Sequence, residues 1–420
     1  MLKLTVYVGN VNFAFVIIAV GDKRDGMDDI EQFFKDRHYN IARILLSICG
    51  VWPFNTRNRR YIIYFAMTLM LGSAFIFEIL GIIDIRHDSV EIIDAVPMIC
   101  FTILCASKMF CAVHTLPQIK VLLIKMQEYC LSPKSDEETK IQNSHAEYGR
   151  KLSYAYTGFI LSHSVVYLLS TLLARLVYMK SEKIDETSNA QIGLPHRVNY
   201  IIDLDTYYVP IFIHCAICDF TLTFLLVVFD VLYLIVVEHC CGLFAALRYR
   251  LEIALVFEKE QLSTTKDKSY SNIVYSIRRH VETMQFVAIM ESVYSLSLSI
   301  HIGMTVFLIS FLGYQVINDM ENLDRILKPI ALLNGVLINL FFENWQGQKI
   351  IDSSERVFES AYNSEWYSMP ISARKLLIMM MKRSEKPSIL RMSKLVVLSY
   401  VTFNTVLRTS LSYFMLLRSL

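Results

Sequence analysis

The side chains in this sequence that could do chemistry are few, and they stand inside long apolar runs. Asp219 and Asp230 are eleven residues apart in one such run, which places them on nearly the same face of a helix. A carboxylate in hydrocarbon needs a cation, a hydrogen-bond donor or water, so each is a functional candidate by default. Lys108, Arg175 and Arg408 are the cations available in other apolar runs. The alternative, which the residue types favour, is an ion pair or hydroxyl contact that only holds helices together. His214-Cys215-Ala216-Ile217-Cys218 has the outline of a metal motif, but structural zinc takes four ligands and no second pair stands in register. The sequence contains no Gly-rich phosphate loop, no HExxH and no nucleophile elbow. We expect neither an enzyme, nor a metal, nor a cofactor.

The elements that carry these residues are membrane helices. Of 420 residues, 54% are hydrophobic and 19% charged, against about 25% charged in soluble domains. Apolar runs long enough to cross a bilayer are expected at 61–83, 90–113, 152–179, 206–237, 286–313 and 329–345, with the fourth helix continuing toward Arg250. The stretch 395–420 is a seventh. It is interrupted by Asn404, Thr405, Arg408, Thr409, Ser410, Ser412 and Tyr413. Such a helix either borders a pore or is buried with its hydroxyls bonded back to its own backbone. The fold class expected is all-α, a seven-transmembrane helical membrane protein.

The remaining segments are read by charge. Residues 1–26 look like a non-native or unstructured leader, since the run Val11 to Val20 is too short to span and Met27 begins an ordinary acidic start. Residues 27–60 carry Phe33, Phe34, Ile41, Leu45, Ile48 and Trp52 at helical spacing, as in an amphipathic helix at the inner membrane surface. Residues 61–345 form the six-span bundle. Residues 346–394 are a basic segment with a short helix over 372–382, too short to span and expected to dock on protein. The loops on the Met27 side hold about twenty-eight Lys and Arg, the others a handful, which puts the N-terminus inside and, after seven spans, the C-terminus outside. Cys49, Cys100, Cys105, Cys111, Cys130, Cys215, Cys218, Cys240 and Cys241 all avoid the expected outer loops, so no external disulfide framework is expected. A net charge of +2 gives no reason to invoke nucleic acid.

The segment from Gly347 through Glu355-Arg356-Val357-Phe358 to Tyr362-Asn363-Ser364-Glu365-Trp366-Tyr367 resembles the insect odorant receptors. So do Arg374-Lys375-Leu376-Leu377, Ser384-Glu385-Lys386-Pro387 and the ending Thr409-Ser410-Leu411-Ser412-Tyr413-Phe414-Met415-Leu416-Leu417-Arg418. The resemblance is specific from about Trp345 to the end. Upstream it rests on span number, topology and length. It implies a ligand-gated, non-selective cation channel in the plasma membrane of an olfactory dendrite, working as a heterotetramer with a common co-receptor, Orco. The segment 250–285 is too short for the long cytosolic insertion of that co-receptor, so the chain is similar to a ligand-tuning subunit. The resemblance places subunit contacts on the cytosolic helices, here Trp366, Tyr367, Leu376, Leu377 and Met380. It places the pore along the last helix, with Leu416 and Leu420 as a hydrophobic gate, Ser419 where the co-receptor has glutamine, and Tyr413 beside them. It places a small volatile ligand among the outer halves of the spans, at Ile93, Val96, Pro97, Phe101, Ser164, Tyr167, Leu168, Thr171, Tyr208, Ile211, Phe212 and Met304. Each of these has the plainer reading of lipid or core packing. A secondary transporter and a metabotropic seven-helix receptor are the competing functions. The first lacks matching sequence halves, and the second has the reverse orientation.

Overall fold

The computed structural model describes all residues except 1–2, 9–10, 17–23, 36–37, 181–192, 205, 254–264, 319, 321–322, 393–395 and 420. Gate candidate Leu420 therefore lies outside the described residues. The fold is organised around one helix, α7 (Tyr208–Glu252). Its sequence is apolar on every side, and from residue 225 to residue 244 each side chain is buried. A helix that is apolar all round belongs in the middle of a bundle. Around it pack α3 (Arg57–Asp84), α4 (Ser89–His114), α6 (Asp136–Lys180), α8 (Thr265–Asn318) and α9 (Leu323–Tyr362). These six helices are long and apolar enough to cross a membrane. The last helix, α11 (Tyr400–Ser419), is the more polar seventh, and it packs on α8 and α9.

Several helices are much longer than a bilayer requires. At about 1.5 Å per residue, the 45 residues of α6 reach roughly 68 Å, twice the ~30 Å hydrocarbon core. The surplus ends of α6, α7, α8 and α9 meet on one side of the bundle, tied by Arg250 to Glu138 at 2.8 Å and Arg279 to Ser132 at 2.7 Å, and by Lys349 to Glu238. Helix α5 (Leu116–Leu131) and α10 (Ile371–Ser384) join them there.

The N-terminal region holds α1 (Arg24–Lys35) and α2 (Asn40–Ile48). Their apolar face is taken up by protein: Phe34, Leu46 and Trp52 are buried in the main core, and α2 packs on α7. Ile44 and Ile48 stay outside. Near the N-terminus, β1 (Lys3–Val8) and β2 (Val11–Val16) pair antiparallel, an arrangement that periodicity over so short a run does not announce. All nine cysteines are free.

Candidate functional site

Five helices enclose a cavity beside α7. Its walls come from Met98, Phe101 and Leu104 on α4, and from Ile160, His163, Ser164 and Tyr167 on α6. Asp219, Thr223 and Leu226 of α7, His301, Thr305 and Leu308 of α8, and Leu332, Gly335, Val336 and Asn339 of α9 complete it. The space open to the centre of a water-sized sphere is about 70 Å³, enough for a few waters. A mostly apolar wall with a few polar groups is the usual make-up of a small-molecule site.

A buried ionic layer forms one end of this cavity. Lys108 on α4 donates to Asp230 of α7 at 2.6 Å and to Glu343 of α9 at 2.9 Å. Tyr156 of α6 and the Asn339 side-chain amide each donate to the second oxygen of Asp230 at 2.6 Å. His301 Nδ1 of α8 stands 2.6 Å from Glu343. Every pair links different helices, so one layer fixes α4, α6, α7, α8 and α9 against each other. Burying charge is costly, and the pairing of Lys108 with Asp230 and Glu343 offsets that cost rather than adding a simple gain in stability. Two of its members, His301 and Asn339, also face the cavity.

A connecting segment covers the other end. Residues 193–204 lead into α7 but are drawn down onto the bundle: Tyr167 donates to the Pro195 carbonyl at 2.6 Å, Lys328 to that of Leu194 at 2.8 Å, and Tyr208 to that of Gly193 at 2.9 Å. Gly193 makes the turn at φ +91°, a conformation that side chains disfavour. Gly81 of α3 lets the segment come close, since a Cβ there would lie 3.1 Å from the backbone of Arg197 and Val198. This lowers His196 between two carboxylates, Nδ1 3.3 Å from Asp219 and Nε2 3.7 Å from Glu78. Burial alone would push the imidazole down. The Asp219 and Glu78 carboxylates outweigh it, Lys328 opposes them weakly, and the imidazole sits above its ordinary value.

Of the residues singled out for a ligand, the cavity brings together Phe101, Ser164 and Tyr167. Val96 and Met304 are half-buried against the main core, Ile93 and Leu168 are half-buried, and Pro97 and Thr171 are buried. Tyr208, Ile211 and Phe212 belong instead to a second apolar cluster with Leu194 and Val198 under the covering segment. Of the two aspartates, Asp230 has Lys108, one of the cations considered for it. Asp219 faces His196, while Arg175 stacks over Tyr208 at 4.6 Å. Glu78, Tyr156, His196, His301, Asn339 and Glu343 were not foreseen. The signal for two of them was available, since Glu78 and Glu343 are acids inside expected spans.

The last helix touches the rest of the chain along a narrow stripe. Thr402, Val406, Ser410 and Phe414 are buried at four-residue spacing, and Tyr413 stacks on Phe307 of α8 at 6.2 Å. The hydroxyls of Thr405, Thr409 and Ser410 bond back to the carbonyls of Val401, Thr405 and Val406. Asn404, Arg408, Ser412 and Leu416 are exposed, as is Ser419, whose hydroxyl donates to the Leu416 carbonyl. On the helical extensions, Leu377 and Met380 are buried in this chain's own core, and Trp366 and Leu376 pack against it. The apolar residues that α10 and the turn before it leave exposed are Tyr367, Ile371, Ile378 and Met379.

The sequence profile of the 7tm odorant receptor family matches residues 88–411. Odorant receptor 67a of Drosophila melanogaster is 21% identical over 94% of this chain and 100% of its own length. Putative odorant receptor 85d of the same species is 25% identical over 34% of this chain and 35% of its own length, so the chain spans about a third of that relative in the match. The odorant receptor coreceptor of Aedes aegypti is 26% identical over 35% of this chain and 31% of its own length. The fold is similar to the insect olfactory receptor OR5 from Machilis hrabei, solved in complex with eugenol. That comparison has a TM-score of 0.68, 14% identity, and coverage of 94% of this chain and 100% of that one.

Proposed function

The chain belongs to the 7tm odorant receptor family, and on that footing we propose that it is a ligand-tuning subunit of an odorant-gated cation channel. It takes a small volatile molecule into the five-helix cavity and opens a pore bordered by α11, in a heteromer with the Orco co-receptor. Its place would be the plasma membrane of an olfactory dendrite, N-terminus inside. The observation that carries this reading is α11. Only a stripe of four residues is buried, while Asn404, Arg408 and Ser412 are left exposed on a membrane-length helix. Polar side chains of that kind do not face lipid, so they call for water or another subunit beside them. The match to a stretch of an odorant receptor coreceptor supports a partner built on the same plan.

The coupling route is short. Thr305 and Leu308 of α8 line the cavity, and Phe307 and Ser310 of the same helix hold α11. The cavity of about 70 Å³ is tight for an organic molecule, since a dry cavity that holds benzene measures about 150 Å³. A ligand therefore binds better to a state in which α8 has moved outward. That difference in affinity shifts the population toward the open pore. The Asp230–Lys108–Glu343 layer serves as the fixed base against which α8 moves. Patch clamp of cells expressing the chain with and without Orco tests the proposal. Odorant-evoked cation current only in the pair is expected. Saturable substrate flux without unitary currents would point to a transporter instead.

A further inference from the structure

Asp219 is the one carboxylate among the described residues that line the cavity. It is 4% exposed, and neither of its oxygens accepts a hydrogen bond from the described residues. His196 Nδ1 is 3.3 Å from Oδ1, an ion-pair distance without hydrogen-bond geometry, and Oδ2 has no donor among the described residues. The nearby hydroxyl of Tyr167 is spent on the Pro195 carbonyl. A buried carboxylate almost always collects donors, so open acceptor positions on the wall of a cavity mark where a ligand's donor belongs.

The charge around Asp219 decides what kind of donor. His196 lies against it, and the Lys328 ammonium is within its electrostatic reach. A third cation would meet these two, whereas a neutral O–H would not. A ligand that can only accept, such as an ether or ester, would turn lone pairs toward a carboxylate, and that mismatch rejects it as effectively as the hydrogen bond attracts the alcohol. We infer that the cavity selects small alcohols or phenols, whose hydroxyl donates to Asp219 while an apolar body lies against Phe101 and Leu308. This rests on the reading of the cavity as the ligand site of a receptor.

The test uses the full chain in lipid nanodiscs and, separately, cells co-expressing it with Orco. The probes are cyclohexanol and methoxycyclohexane, benzyl alcohol and benzyl methyl ether, and cyclohexylamine. Binding is followed by saturation-transfer NMR competition, and gating by evoked current. Each alcohol is expected to bind on the order of 10- to 100-fold more tightly than its ether, and more tightly than the amine. In Asp219→Asn the alcohol-to-ether ratio should fall toward unity. The ratio in the unmodified chain stands as the test even where that variant fails to reach the membrane. Ethers or the amine binding as well as the alcohols would overturn the inference and leave the receptor reading intact. Selective binding of alcohols without current would support the inference and count against the channel. No binding by any probe would overturn both.

Discussion

Ser310 Oγ lies 3.0 Å from the backbone carbonyl oxygen of Ser410 and 2.7 Å from that of Val306 in its own helix, so its one proton is shared between them and α8 meets α11 at a fully buried point. Leu308, two residues earlier on α8, faces the cavity. Residues two apart on a helix point to nearly opposite sides, so a single turn of α8 has the cavity on one flank and the terminal helix on the other. On the proposed function, movement of that turn would act on both sides without any relay of side chains.

The same contact sets the first prediction. One turn further along α8, Gly313 faces Phe414, and a Cβ there would rest 3.7 Å from the ring, an ordinary contact. Gly313→Ala should leave gating unchanged. Gly313→Leu must wedge α8 away from α11. Overpacking of this kind costs about 1–3 kcal/mol, so the ligand concentration for half-maximal current should shift about tenfold. Dose–response curves in the heteromer measure it. Equal curves for both variants would mean that the two helices do not move as a pair.

The buried ionic layer predicts a stability pattern. Lys108→Met leaves Asp230 and Glu343 without their shared cation. Removing one partner from a buried pair costs about 3–5 kcal/mol. Neutralising the acids as well, in Lys108→Met/Asp230→Asn/Glu343→Gln, should recover most of that loss, because desolvated charge no longer needs an answer. Thermal midpoints of detergent-solubilised protein by fluorescence-detected size exclusion would report both. A triple variant no more stable than the single would show that packing around Lys108, not its charge, holds the layer.

How much of this could be read in advance follows from what periodicity encodes. The spans stand out because a bilayer demands length and apolarity: five of the seven expected runs fall inside one described helix, while the fourth helix begins at Tyr208 and the last at Tyr400, two and five residues after their expected starts. Lys108 could be named as a partner for Asp230, since cations in spans are few. That Glu343, His301, Tyr156 and Asn339 converge on the same pair could not, because spacing tells which face a residue occupies and not which helix that face meets. The segment 193–204 was hidden for another reason. It reads as a polar outer loop, yet Leu194, His196 and Val198 are buried, and the cause is the close approach allowed at Gly81 on a distant helix. Leu377 and Met380 likewise look available on a short basic helix until its neighbours are known.

The covering segment predicts a pH response. His196 faces Glu78 of α3 and Asp219 of α7, with Lys328 of α9 nearby, and its imidazole is held above its ordinary value of 6.5. A raised folded value means that folding favours the protonated form. The stabilisation is therefore complete below the ordinary imidazole value and is lost as pH rises through the higher, folded one. Protection factors over residues 193–200, taken relative to the intrinsic base-catalysed exchange rate at each pH, should fall across that rise, and His196→Gln should flatten the dependence. Protection factors that are independent of pH in the unmodified chain would remove the imidazole from any role in holding the segment down.

The last prediction concerns the end of α11. Leu416 is 56% exposed, on the same helix as the exposed Ser412 and Arg408 and off the buried Thr402–Phe414 stripe. An apolar side chain left open beside polar ones on a membrane helix gains little from lipid alone, since the residues around it need water. Several leucines brought together around a symmetry axis would instead empty a narrow passage of water and close it. Leu416→Ala removes most of that apolar bulk without touching the contact with α8, so folding and surface delivery should be retained. In the heteromer the standing current without ligand should rise, and a cysteine at the same position should become modifiable by aqueous thiol reagents when ligand is applied. Unchanged leak together with a cysteine that stays inaccessible in both states would assign Leu416 to lipid or to a subunit seam, and would move the barrier elsewhere along the helix.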